Sequence, residues 1–111
     1  MELPAATDAV VCGPVWISPE EMCEMRLRGR PVKISPKSMR ALAYLIRAEG
    51  RVVGRDELMQ HTSGTTRGAS SRAMDVRVLR IRRALGTCGQ FLIAVPGRGY
   101  RIDVLGLSRA K

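Results

Sequence analysis

Residues 71–85 contain the side chains best suited to bind an anion, because five arginines and a single acid occupy these fifteen positions. At about 100° per residue of a helix, four apolar residues fall on one stripe: Met74, Val78, Ile81 and Leu85. The opposite side is mostly arginine, and like charges three or four residues apart repel one another. Guanidinium groups match phosphates and guanine edges. The pattern therefore favours a helix that binds nucleic acid over a basic face that is merely solvated.

The distribution of charge along the chain indicates the same class of ligand. The 111-residue chain has a net charge of +9, and 16 of its 19 basic residues are Arg. Residues 1–25 contain five acids and no base, whereas residues 67–101 contain eight arginines and one acid, Asp75. A field of one sign attracts polyanions, with nucleic acid as the leading partner and an anionic membrane surface as the alternative. Asp75 shares a helix flank with Arg82, where the two have either a structural role in an internal polar network or a role in binding.

Other classes of function have less support in the sequence. No apolar run approaches the roughly 20 residues that span a bilayer, and the acidic start of the chain is unlike a secretory signal. We therefore expect no membrane partner and a cytoplasmic location. One histidine and three widely spaced cysteines do not form a zinc pattern or a disulfide framework. The sequence predicts no metal, no cofactor and no catalytic residues, so an enzyme is not expected.

Short strands and two helices precede the arginine-rich segment in the predicted order of elements. Residues 9–34 alternate apolar and polar positions between Gly-Pro and Ser-Pro breaks, which predicts three or four short antiparallel strands. Ser35 is a favourable N-cap and Pro36 suits the first helical position, so a helix begins here and ends at Gly50. A second, short helix is predicted at about 55–61.

A β-hairpin is predicted after the arginine-rich helix. Its strands are Phe91–Val95 and Tyr100–Val104, whose apolar residues alternate. Arg98 lies between Gly97 and Gly99, and two glycines suit a tight turn that requires positive φ. The hairpin therefore presents one arginine at its tip.

These elements predict an α+β fold, namely a winged helix-turn-helix with an N-terminal antiparallel sheet, three helices and a C-terminal β-hairpin wing. Residues 9–104 would form this domain between flexible tails at residues 1–8 and 105–111. The major groove of B-DNA, about 12 Å wide, accepts one α-helix. A hairpin beside that helix can place Arg98 on phosphates or in the neighbouring minor groove.

Four motifs in this order carry a resemblance to a known family: Ile34–Pro36, Gly50–Leu58, Arg72–Gly86 and Val95–Ile102. The chain resembles the OmpR/PhoB-type winged-helix DNA-binding domain of bacterial response regulators, over about residues 15–103. The resemblance implies a sequence-specific transcription regulator that binds double-stranded DNA at the bacterial nucleoid. Residues 71–85 would be the recognition helix in the major groove, and residues 95–100 the wing at the adjacent minor groove.

The resemblance also implies individual DNA contacts, which fall on Arg72, Val76, Arg77 and Arg80. Further candidate contacts are Arg67, Ser71, Arg83 and Arg98. Among them, Arg80 is expected to read a base, Val76 to contact a thymine methyl or a sugar, and Arg72 and Arg83 to contact phosphates. The family often has Arg immediately before the first wing glycine, where this chain has Pro96, so Arg98 is expected to take the minor-groove role.

Two further expectations concern partners. Thr65, Thr66, Arg67 and Gly68 fall in the loop with which family members contact RNA polymerase, although Thr62–Gly64 replaces the family's frequent Val-Trp-Gly. Family members commonly bind direct repeats as head-to-tail pairs, so we expect a dimer on DNA. The 111 residues contain no receiver domain, which makes the chain either a stand-alone regulator or a fragment of a longer one.

The acidic segment of residues 1–25 suggests an alternative function. The chain would then be a protein-interaction module that docks on RNA polymerase or another regulator, with DNA as a non-specific anchor. Architectural DNA binding without sequence preference fits the charge but not the combination of recognition helix and wing.

Overall fold

The computed structural model describes residues 3–63 and 71–110, apart from the side chains of Ser63 and Ser71. The first half contains four strands and two helices: β1 Val10–Cys12, β2 Val15–Ser18, β3 Glu24–Leu27, β4 Arg30–Val32, α1 Pro36–Arg47 and α2 Arg55–Ser63. The second half contains two helices, a 3₁₀ segment and a hairpin: α3 Ser71–Leu85, the 3₁₀ segment Gly86–Phe91, β5 Leu92–Val95, β6 Gly99–Ile102 and α4 Val104–Arg109. This is the predicted winged helix-turn-helix with one additional helix.

The N-terminal sheet is antiparallel, and its strands follow one another in sequence order from β1 to β4. Ile17 pairs with Val10 on one side and with Met25 on the other, and these three apolar side chains are buried. The prediction of three or four short strands within residues 9–34 is confirmed. The strands are short because turns at Gly13 and Gly29, both with positive φ, interrupt them.

The first helix begins where the sequence predicts. Ser35 has an extended backbone, and its Oγ accepts a hydrogen bond from the Ser38 amide at 3.1 Å. Pro36 occupies the first turn, where an amide hydrogen would have no helical partner. The helix ends at Arg47, and Glu49 and Gly50 then adopt positive φ. The cap and the terminal glycine therefore define α1 locally.

The core lies between the sheet and the three predicted helices. The apolar stripe of α3 is fully buried as predicted: Met74, Val78, Ile81 and Leu85. Burying each such side chain stabilises the fold by roughly 1.5–3 kcal/mol. This stripe faces the apolar side of α1, including Leu42 and Leu45, and the buried Leu58 of α2. The polar side of α3 is consequently turned away from the core.

The prediction of a flexible tail at residues 105–111 is wrong for residues 105–110. Residues 104–109 form α4, whose N-cap Asp103 accepts a hydrogen bond from the Gly106 amide at 3.1 Å. Leu107 is 0% exposed, and a Cβ at Gly13 would overlap the Leu107 carbonyl. The last strand accordingly ends at Ile102, two residues before its predicted end. A six-residue helix with one anchoring leucine leaves too short a periodic signal to detect in sequence.

The start of the chain also differs from the predicted tail. Asp8 accepts hydrogen bonds from the Ser18 hydroxyl at 2.5 Å and from the backbone amides of Glu20 and Glu21. The Ser18 hydrogen bond is the main cause of the lowered pKa of Asp8. Thr7 donates its amide hydrogen to Glu21 at 2.7 Å. Residues 7 and 8 are therefore attached to the loop that joins β2 and β3.

In the ranges that the structure describes, no helix combines the length and apolar character needed to cross a bilayer.

Candidate nucleic-acid interface

The face of α3 opposite the core is exposed from Arg72 to Arg83. Its members are Arg72, Ala73, Val76, Leu79, Arg80 and Arg83. The acid of this helix, Asp75, lies on the flank instead. An α-helix with its side chains is about 10–12 Å across, which matches the major groove. The face therefore has the width, exposure and charge to contact the edges of bases.

One flank of α3 is attached to the C-terminal part of α2 through Arg77. Its Nη1 donates a hydrogen bond to the Thr62 hydroxyl at 3.3 Å, and the buried Thr62 donates in turn to the Leu58 carbonyl at 2.8 Å. Burial lowers the pKa of Arg77, and the nearby Arg80 charge adds to the effect. Among the predicted contacts on α3, Arg77 is thus turned towards α2, whereas Arg72, Val76, Arg80 and Arg83 are exposed.

The opposite flank of α3 is attached to the hairpin. Arg82 donates two hydrogen bonds to the Leu92 carbonyl, from Nε at 3.0 Å and from Nη2 at 2.8 Å. Asp75 accepts through Oδ1 from Arg55 Nε at 3.0 Å and from the Tyr100 hydroxyl. Asp75 and Arg82 therefore each form hydrogen bonds within the protein, as the structural role predicts, and the Asp75 side chain also remains partly exposed to solvent.

The carboxylate of Asp75 joins three elements, since Arg55 begins α2 and Tyr100 lies on β6. The guanidinium carbon of Arg55 also lies 5.5 Å from the centroid of the Tyr100 ring. Hydrogen bonds from Tyr100 and Arg55 lower the pKa of Asp75. Burial, together with the Asp75 hydrogen bond, raises the pKa of Tyr100. At neutral pH the Asp75 carboxylate is therefore ionised and the Tyr100 hydroxyl is protonated, as the hydrogen bond between them requires.

The base of the wing is hydrogen-bonded to the segment before α2, and its tip is exposed. Val53 and Tyr100 exchange two backbone hydrogen bonds, at 2.7 and 2.9 Å, which joins the hairpin to the segment before α2. Gly99 has φ +141°, and a Cβ there would overlap the Val53 carbonyl. Arg98 is exposed in the turn, and its amide donates to the Val95 carbonyl at 3.0 Å. The predicted hairpin, with Arg98 at its tip, is confirmed.

The α1–α2 pair has its own polar attachment. Arg51 donates to Glu57 from Nη1 at 3.2 Å and from Nη2 at 2.7 Å, and the Tyr44 hydroxyl donates to the same carboxylate. These hydrogen bonds, with that from Arg51 contributing most, lower the pKa of Glu57 to about 2. Tyr44 lies on α1 and Glu57 on α2, so the carboxylate holds together the two helices that support α3.

We expect the stabilising effect of Glu57 to disappear in acid. Because its pKa falls from the ordinary 4.5 to about 2 on folding, its contribution is complete above pH 4.5 and is lost as pH falls towards 2. The carboxylate is partly exposed, so we expect less than about 1 kcal/mol. Urea unfolding of wild type and Glu57→Gln between pH 2 and 6 measures it. The difference in unfolding free energy should shrink with acidification, and an unchanged difference would contradict the assignment.

Several predicted contacts lie outside the described residues. These are Thr65, Thr66, Arg67 and Gly68 and the side chain of Ser71, whose backbone begins α3. Conversely, sequence reasoning overlooked Arg55, Thr62 and Leu79. Leu79 could have been found, because the helical period that identifies the buried stripe also places it among the arginines. Arg55 and Thr62 gave no comparable signal, since their partners on α3 are distant in sequence.

Comparison with known proteins agrees with this geometry. Residues 29–102 match the protein family described as "Transcriptional regulatory protein, C terminal". Transcriptional regulatory protein CseB of Streptomyces coelicolor is 35% identical over 79 residues, which cover 71% of this chain and 33% of CseB. The chain spans about a third of the length of the first curated relatives that it matches.

Solved structures have the same fold. The DNA-binding domain of response regulator AdeR, in complex with an intercistronic region, has a TM-score of 0.73 and 25% identity, covering 85% of this chain and 98% of that one. The Klebsiella pneumoniae RstA DNA-binding domain, in complex with the RstA box, has a TM-score of 0.71 and 25% identity, covering 85% and 95%. The residues that match the family include α1 to α3 and both strands of the wing. The chain therefore belongs to the C-terminal-domain family of transcriptional regulatory proteins.

Proposed function

We propose that this chain binds double-stranded DNA sequence-specifically as the DNA-binding part of a transcription regulator. In this proposal α3 enters the major groove, and the β5–β6 turn reaches the adjacent minor groove. The observation that carries the proposal is the outward face of α3, on which three exposed arginines occur without an acid. Relatives in complex with DNA have the same fold at 25% identity, which supports it.

The anchoring of α3 supports specific binding rather than attraction of phosphate alone. Base readout requires side chains held in a fixed register, whereas phosphate binding requires only charge. Arg77 attaches one flank to α2, and Asp75 and Arg82 attach the other flank to the hairpin. With α3 held in this way, we assign base contact to Arg80 and phosphate contacts to Arg72 and Arg83.

The remaining contacts and partners are also proposals. Val76 would contact a thymine methyl or a sugar, and Arg98 would reach the minor groove from the wing tip. Arg67 and Ser71 would add contacts near the start of α3, and residues 65–68 would contact RNA polymerase. Two copies would bind a direct repeat head to tail, in the cytoplasm at the nucleoid.

The acidic side chains near the N-terminus give little support to the alternative of a protein-interaction module. Glu20 pairs with Arg40 at 2.6 Å, and Glu24 pairs with Arg26 at 3.0 Å. These carboxylates are therefore partly neutralised by arginines outside α3. They leave the arginines of the α3 face available for DNA.

Selection from a randomised duplex library at about 150 mM salt tests the proposal, because non-specific binding is weakened there. We expect an enriched motif, repeated directly at a spacing of about 10–10.5 bp. Binding that depends on salt without any enriched motif would contradict sequence-specific regulation. In that event, retention of polymerase subunits from a nuclease-treated lysate would favour the interaction module.

A further inference from the structure

Leu79 is a large apolar side chain exposed in the middle of the arginine-rich face. It is 45% exposed, and Val76, three residues earlier on the same helix, is 47% exposed. Residues three apart on a helix are surface neighbours, so the two side chains form one apolar strip. Arg83, four residues after Leu79, borders the strip. The outward face therefore combines two kinds of recognition, charge and apolar contact.

The contacts of the two flanks show on which side of the face Leu79 lies. It is four residues after Asp75 and three before Arg82, both of which contact the hairpin. Arg80, in contrast, is three residues after Arg77, whose guanidinium contacts Thr62 of α2. Leu79 is thus on the wing side of the outward face, and Arg80 is on the side of the C-terminal end of α2.

We propose that Leu79 is a specificity-determining residue that contacts the 5-methyl group of a thymine in the major groove, nearer the wing than the base read by Arg80. The inference rests on the proposed function, since it concerns the same interface. It deepens that function by stating which base the wing side of the half-site must contain.

The chemistry of the groove selects thymine. The 5-methyl of thymine is the apolar group that unmodified base edges present in the major groove, whereas the other groups there donate or accept hydrogen bonds. Leucine offers neither donor nor acceptor, so contact with a polar edge would remove water without replacing its hydrogen bonds. Arg72 and Arg83, which lie beside the strip, match the adjacent phosphates. Duplex DNA is therefore the occupant to which both the charge and the apolar strip are complementary.

Replacing thymine by deoxyuridine tests the contact, because it removes only the methyl group. Each thymine of the selected site is replaced in turn, and affinity is measured for wild type, Leu79→Ala and Val76→Ala. We expect one replacement on the wing side to weaken wild-type binding about fourfold, the effect of one buried methyl. Leu79→Ala should weaken binding to the unmodified site by a similar factor. Its affinity should no longer change with that one wing-side replacement, but should still change with the others. Leu105→Ala, which removes an exposed leucine from α4, should behave as wild type.

The outcomes separate this inference from the function on which it rests. Failure to enrich any site contradicts the proposed function and the inference together. An enriched site without a wing-side thymine, or a deoxyuridine effect that is equal in wild type and Leu79→Ala, overturns the inference alone. So would a Leu79→Ala protein that binds the site and responds to deoxyuridine as wild type but no longer pairs with a second copy, since Leu79 would then contact protein. A thermal unfolding curve like that of wild type verifies that each variant is folded.

Discussion

Arg80→Ala should weaken binding to the selected site by about 1–3 kcal/mol, which is roughly 5- to 150-fold, and relax the preference at the base pair it reads. The physical reason is that Arg80 is exposed on the outward face of α3, where a guanidinium can donate two hydrogen bonds to one guanine. Alanine has no donor, so the guanine edge would be buried without its partners. Titration of labelled duplexes, one carrying the selected site and one for each single-base change, measures both effects.

Two other arginine variants make the test specific to position. Arg72→Ala, at a proposed phosphate contact, should weaken binding to all sequences about equally. It should also reduce the slope of log affinity against log salt concentration by about one. Arg109→Ala removes the same charge from α4, outside the proposed interface, and should have little effect on affinity. If Arg80→Ala has the same sequence preference as either of these variants, the proposal that Arg80 reads a base is wrong.

Asp75→Asn should reduce the ratio of specific to non-specific affinity, although it removes the single acid of α3. If Asp75 acted only through its charge, the substitution would tighten binding to every duplex, because repulsion of phosphate would be lost. If instead it acts by joining α2, α3 and the hairpin, binding to the selected site should weaken while binding to a scrambled site stays equal or tightens. The two explanations predict opposite changes in affinity for the selected site, so this measurement distinguishes them.

The size of this effect follows from the exposure of the network. Hydrogen bonds to charged groups contribute about 1.5–3 kcal/mol when buried. The side chains of Asp75 and Arg55 are 43% and 36% exposed, so solvent screening reduces the loss on substitution to about 1 kcal/mol in unfolding free energy. A similar loss is expected in specific binding, because the wing and α3 would no longer be held in one register.

Tyr100→Phe is the matched control for the geometric explanation. It removes the hydroxyl that donates to Asp75 while leaving the charge of the interface unchanged. We expect it to reduce the specificity ratio in the same direction as Asp75→Asn, without tighter binding to scrambled DNA. Equal specificity ratios in wild type and in both variants, measured at one salt concentration, would show that the Asp75 network does not position the wing.

Features governed by residues close together in the chain could be predicted from the sequence. The Ser35–Pro36 start of α1 is a local cap, and the buried stripe of α3 repeats with the helical period. The four N-terminal strands and the hairpin around Arg98 follow from short alternations and turn residues. Arg72, Val76, Arg80 and Arg83 are exposed for the same reason, since burial of one helix face leaves the other to solvent.

The rest depends on contacts between residues that are distant in sequence. Leu107 anchors α4 because it packs beside Gly13, and Arg77 is turned aside because Thr62 lies beside it. Asp75 finds its partners 20 and 25 residues away, on two different elements. By itself the sequence determined a helix with a buried apolar stripe and an arginine-rich outer face. Only the tertiary structure decided which flank meets the wing, because a repeating pattern specifies directions around one helix axis but not the neighbours that occupy them.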